Sequence, residues 1–202
     1  MNAETQREPV RRKAVWGSRI RMAVALAGAL LLTSCSQAVR TGQASSYLVL
    51  TSLTAGGSSV FQSDVLNVDP VTLAKTVVND PGSATFQVQM KDVLGLAPSA
   101  NNAITITQYH VKFTRTDGRN TEGVDVPFAF DGAVTTTIAN TGSVSFTLVR
   151  NQAKLEAPLA ALATTNIPIT TIATVTFYGH DQVGNEVSVA GSIEVTFANF
   201  PG

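Results

Sequence analysis

The sequence contains one thiol, Cys35, directly preceded by Leu32, Thr33 and Ser34. A cysteine sulfur is a nucleophile, and small residues ahead of it let an extended backbone enter the groove of a processing enzyme. Since Cys35 is the only cysteine, the remainder of the chain has no internal disulfide. The other chemistry-bearing candidates are sparser. There are two histidines, His110 and His180, the second next to Asp181. If their strands are neighbours, the three side chains can meet around a metal ion. Oxygen ligands for calcium are available from Asp181, Asn185 and Glu186, or from Asp117, Asn120 and Asp125. Turn-forming Asx chemistry is the favoured reading of the same residues, because no loop places Asp or Asn at dense alternate positions. No Gly-x-Ser-x-Gly elbow occurs, and no motif implies a cofactor. These signals lead to the expectation that the chain is not an enzyme.

The elements around Cys35 are marked by charge. The chain has 202 residues with 14 basic and 14 acidic side chains. Six of the basic ones (Arg7, Arg11, Arg12, Lys13, Arg19, Arg21) and two acidic ones (Glu4, Glu8) fall before residue 22, which gives that segment +4 and the rest −4. A mildly acidic body with scattered cations offers no stripe for a phosphate backbone, so nucleic acid is not an expected partner. Residues 22–32 then form a run of eleven without a charge, matching the apolar region of an export signal. That run is too short to span a bilayer, which takes roughly 20 apolar residues. General secretion is expected rather than twin-arginine export, since the residues around Arg11-Arg12 fit that signal poorly.

Leu32-Thr33-Ser34-Cys35 at the end of this run resembles the lipobox of bacterial lipoproteins. The resemblance implies diacylglycerol transfer to the Cys35 thiol, cleavage before it, and acylation of the new amino group with palmitate-type chains. It makes the bilayer a partner through acylated Cys35. Ser36, standing where enterobacterial sorting reads Asp as a retention signal, implies the outer membrane within the cell envelope. The expected organisation is a helical signal peptide at 1–34, a lipidated flexible tether at 35–46 and a folded body at 47–202.

From Tyr47 onward the apolar residues recur with period 2. Val187, Val189, Gly191, Ile193, Val195 and Phe197 share one strand face. Ala84, Phe86, Val88 and Met90 share another, and Val144, Phe146 and Leu148 a third. Between 103 and 114 the pattern changes parity, from Ile104 and Ile106 to Tyr109, Val111 and Phe113. A bulge near Thr107 and Gln108 reconciles the two halves, because one extra residue swaps the faces. Further strands are expected at 47–53, 126–130, 133–139 and 171–179. Asp117-Gly118 and Asp131-Gly132 are expected as tight turns. Residues 151–162 break the rhythm, with Leu155, Leu159 and Leu162 at helical spacing, Asn151 as a cap and Pro158 either dividing the segment into two short turns or leaving a helix that begins near Ala157.

Val175–Val189, continuing to Phe197, resembles the last hairpin of bacterial immunoglobulin-like and fibronectin-III-like extracellular domains, with Asp181, Gly184 and Asn185 at the turn. The resemblance implies an all-β, antiparallel immunoglobulin-like sandwich with one short helical segment. It implies a non-enzymatic interaction or structural domain, displayed toward an envelope protein or glycan. Two alternatives stay open: a carbohydrate-binding module, and a hydrolase or metal-dependent enzyme on the same scaffold. The polar loop Arg115–Asp125, with Arg115, Asp117, Arg119 and Asn120, is the candidate binding loop.

Overall fold

Alternating apolar side chains give each strand one dry face, and two sheets bury those faces against each other. A computed structural model describes residues 44–92, 94, 97–165 and 167–200, within a unit spanning Gln43–Gly202. The expected signal peptide at 1–34, which includes Leu32, Thr33 and Ser34, and Cys35 with the expected tether through residue 43 lie outside the described residues. The strands are β1 (Ser46–Ala55), β2 (Val60–Asp64), β3 (Asn67–Val68), β4 (Lys75–Thr76), β5 (Asp80–Met90), β6 (Ile104–Thr114), β7 (Phe130–Ile138), β8 (Thr141–Val149), β9 (Ile169–Asp181) and β10 (Glu186–Ala198). A three-stranded sheet has the order β1-β5-β8 and a five-stranded sheet the order β2-β10-β9-β6-β7, while β3 and β4 pair apart from both. The all-β expectation therefore holds.

Aromatic rings lock the sheets together. Phe86 of β5 and Phe146 of β8 meet Phe177 of β9 with centroids 5.0 and 5.3 Å apart and near-perpendicular planes. Edge-to-face pairs of this kind add about 0.5–1.5 kcal/mol each to the burial of the rings. The parity change in β6 is resolved as expected. Its register against both β7 and β9 shifts between Ile106 and Gln108, so Ile104, Ile106, Tyr109, Val111 and Phe113 are all buried on one side.

Three expectations about the strands and turns are corrected. The sheets are not wholly antiparallel, because β2 pairs parallel to β10. A tight turn at Gly56 and Gly57, both at positive φ, releases the chain from β1 and leads it to the opposite sheet. Asp131-Gly132 is not a turn but lies inside β7. Glycine is needed there because a Cβ would stand 2.1 Å from Cζ of the buried Tyr109 ring. Residues 126–129 form no strand; Val126 is buried and joined to Glu122 by an isolated bridge.

The helical segment is divided at Pro158 as expected, but its capping and buried residues differ. It splits around Pro158 into α1 (Asn151–Leu155) and a 3₁₀ turn at Leu159–Ala163. Leu159 and Leu162 are buried, but Leu155 is 64% exposed and the helix buries Ala153 and Lys154 instead. Asn151 does not cap: it is the first helical residue, and its backbone N–H donates to Oδ1 of Asn79 at 2.6 Å. Among the described residues no helix is long and apolar enough to cross a membrane.

Candidate ligand cleft

The polar loop after β6 folds onto itself. Gly118, at φ +82°, makes the expected turn. Arg115 Nε donates to both oxygens of Asp117 at 3.1 Å, Asp117 also accepts from the Arg119 backbone, and Arg119 Nε donates to Asp125 at 3.1 Å. Asn120 Oδ1 accepts the Arg115 N–H at 2.6 Å. The hydrogen bond from Arg115 holds the Asp117 carboxyl below its ordinary pKa. The structure thus brings Arg115, Asp117, Arg119 and Asn120 together, chiefly as partners of one another.

The second acidic cluster is a turn as well. Asp181 ends β9 and its carboxylate accepts from the N–H groups of Val183 (3.1 Å) and Asn185 (2.8 Å) and from Asn185 Nδ2 (2.8 Å). Burial opposes its charge, yet the hydrogen bonds from the Asn185 side chain and the turn backbone hold the pKa below the usual carboxylate value. Glu186 begins β10 in register with His180, the ring Nδ1 of which donates to the Asp181 carbonyl at 3.0 Å. Asp181, Asn185 and Glu186 are therefore adjacent without converging on a metal. Among the described residues no group of three or more His, Cys, Asp or Glu is placed to hold one.

A pH dependence follows from the depressed Asp181 pKa. A carboxyl with a folded pKa below its unfolded value contributes stability that is complete above the unfolded pKa, near 4, and is lost as pH falls through the folded value. Asp181→Ala is expected to cost about 1–3 kcal/mol at pH 7 through the orphaned turn donors, and less at pH 3. Urea unfolding at both pH values checks this.

The two histidines do not meet. Strands β6 and β9 are indeed neighbours, but their register sets His110 opposite Thr176 and His180 opposite Thr105. At about 3.3 Å per residue the offset is on the order of 15 Å. His110 Nδ1 instead lies 2.8 Å from Asp131 Oδ1 on β7; the carboxylate accepts, so the ring carries its proton on Nδ1.

A cleft of about 260 Å³ opens where the edge strands β7 and β8 run into α1. Its walls include Asn79, Tyr109, Phe130, Asp131, Thr147 and Arg150. Arg150 directly follows β8, and its guanidinium carbon lies 4.3 Å from the centroid of the Phe130 ring, a cation–π contact. Its Nε is buried with no hydrogen-bond partner among the described residues. The Tyr109 hydroxyl accepts the Thr147 N–H at 3.2 Å, and its ring is wedged over Gly132. Sequence reading missed this site. Its residues come from β5, β6, β7, β8 and their flanks, and none belongs to a local motif.

A second polar group lies buried nearby. Lys154 of α1 donates to Asp80 Oδ1 and to the Asp64 carbonyl, each at 2.8 Å, and Ser63 Oγ donates to Asp80 Oδ2 at 2.6 Å. Ser63, Asp80 and Lys154 are all buried, so this network joins α1, β2 and β5 rather than facing a ligand.

The class defined by these elements is an all-β body of two packed sheets. No protein-family model matches the chain, and no curated protein matches it in sequence. Nine chains of known structure do match. One is a structural-genomics target solved by X-ray crystallography, 12% identical over 74% of this chain and 84% of that one, at a TM-score of 0.33. Another is a solution structure of a protein assigned to the late embryogenesis abundant group, 9% identical over 95% of this chain and 92% of that one, at a TM-score of 0.39. Similarities of this size carry no inference about function.

Proposed function

We propose that the chain is a bacterial lipoprotein, anchored in the cell envelope through acylated Cys35. Its body is an immunoglobulin-like, non-enzymatic interaction domain. The observation that carries this reading is one coincidence in the sequence. A basic segment, an eleven-residue uncharged run and Leu32-Thr33-Ser34-Cys35 stand in that order, and β structure begins at Ser46. Each buried methylene of an acyl chain contributes about 0.8 kcal/mol, so two or three chains hold a protein on a bilayer where one is marginal. The nine residues from Cys35 to the buried Ala44 reach at most about 30 Å, which keeps the body close to the membrane surface. The β9–β10 hairpin turning at Asp181, Gly184 and Asn185 supports the immunoglobulin-like assignment. Ser36 favours the outer membrane by the sorting rule.

Cys35→Ser is expected to abolish labelling by a fatty-acid analogue in cells and to leave unprocessed precursor. Labelling that persists in this variant overturns the proposal.

A further inference from the structure

We propose that the cleft between β7, β8 and α1 binds a small ligand through a free carboxylate, with Arg150 as its anchor. The proposal does not depend on the membrane anchor. Four observations carry it. First, Arg150 is in no ion pair among the described residues, although it is half-buried and its Nε is fully enclosed. A cation so placed normally has a carboxylate partner, and burial without one is costly. Second, the guanidinium carbon lies 4.3 Å from the centroid of the Phe130 ring, which holds the group at the cleft, and its planar fork matches the two oxygens of a carboxylate.

Third, the cleft has spare donors. Asn79 Oδ1 is occupied by the Asn151 N–H, which leaves the Asn79 amide hydrogens to donate. The Tyr109 oxygen accepts from Thr147, and its own O–H has no acceptor among the described residues. A lining with surplus donors suits a ligand group made only of acceptors. Fourth, the cleft sets a limit on charge and size. Asp131 shares the lining and carries a carboxylate that is 63% exposed and paired with His110. One cation beside one anion suits a monoanion and disfavours a phosphate dianion. A volume of about 260 Å³ accommodates one amino-acid residue or one sugar ring.

A carboxylate of that size comes from the end of a peptide or from an acidic sugar. The test titrates the full-length protein in neutral detergent by calorimetry with N-acetylglycine and with glucuronate, against the neutral N-acetylglycinamide and glucose, and against inorganic phosphate. The expected result is saturable binding of at least one carboxylate, at least about tenfold tighter than its neutral counterpart and than phosphate. The carboxylate that binds identifies the source. Arg150→Gln should weaken binding about tenfold or more. Arg150→Lys, which keeps the charge and loses the fork, should weaken it severalfold, and it decides the matter if the Gln variant does not fold. Silence from both carboxylates, equal binding of the neutral compounds, preference for phosphate, or unchanged affinity in a folded Arg150 variant overturns the proposal.

Discussion

Lys154→Ala is expected to lower folding stability by about 3–5 kcal/mol, the cost of leaving one member of a buried ion pair without the other. Lys154 is 3% exposed, and its ammonium has two acceptors at 2.8 Å, Asp80 Oδ1 and the Asp64 carbonyl. Without it, the Asp80 carboxylate keeps only the Ser63 hydroxyl, in a setting that excludes water. The same loss is expected from Asp80→Ala. Replacing both together, as Lys154→Met with Asp80→Leu, should recover much of the loss, because desolvating the charges offsets most of what their attraction contributes. Urea midpoints at unchanged m-value for Lys154→Met, Asp80→Leu and the two combined, taken as a double-mutant cycle, measure the coupling. Single variants within about 1 kcal/mol of the parent would show that the pair is not buried as described. Since small domains are stable by about 5–15 kcal/mol, the single variants are expected to be close to unfolding.

Gly179→Ala is the second severe substitution expected. A Cβ at this position on β9 would lie 2.2 Å from the Thr105 carbonyl oxygen and 2.9 Å from the Ile106 Cα. Both are backbone atoms of β6, which is hydrogen-bonded on both sides, by β7 and by β9. The bulge after Ile106 brings β6 close to β9 here, so a side chain can be fitted only by moving the centre of the sheet. A loss of about 3 kcal/mol or more is expected, which lowers the melting temperature by on the order of 10 °C for a body of this size. Gly184→Ala is the internal control. Its φ is +88° but nothing stands within 4 Å, so the cost there is only the left-handed backbone, about 1–2 kcal/mol. Equal losses at the two positions would contradict the close approach at Gly179.

How far the molecule was legible from its sequence depends on the range of the interaction concerned. Period-2 alternation is a local signal, and it located the buried faces of β5, β8 and β10. The parity change at Thr107 and Gln108 located the bulge for the same reason. Asp131-Gly132 misled because the pair is a turn signal in isolation. Only the Tyr109 ring, on the neighbouring strand, explains why glycine is required within β7. β2 left no clear pattern, being a five-residue edge strand that pairs with residues more than 130 positions away. Nothing local marks Lys154 as buried, because its partner Asp80 is 74 residues distant. The cleft was illegible for a similar reason. Arg150 is an ordinary residue at the end of a strand until β7 supplies Phe130 and the chain before β5 supplies Asn79. Leu32-Thr33-Ser34-Cys35 is the opposite case, a contiguous stretch of four residues from which the proposed lipidation is read directly.

The most direct test of the anchor is the mass of the N-terminal peptide from protein extracted out of its native envelope. The account predicts a chain that starts at Cys35, with a thioether-linked diacylglyceryl group on sulfur and an acyl chain on the amino group. A mature chain that starts elsewhere, or a bare Cys35 thiol on protein released by aqueous buffer, would contradict it.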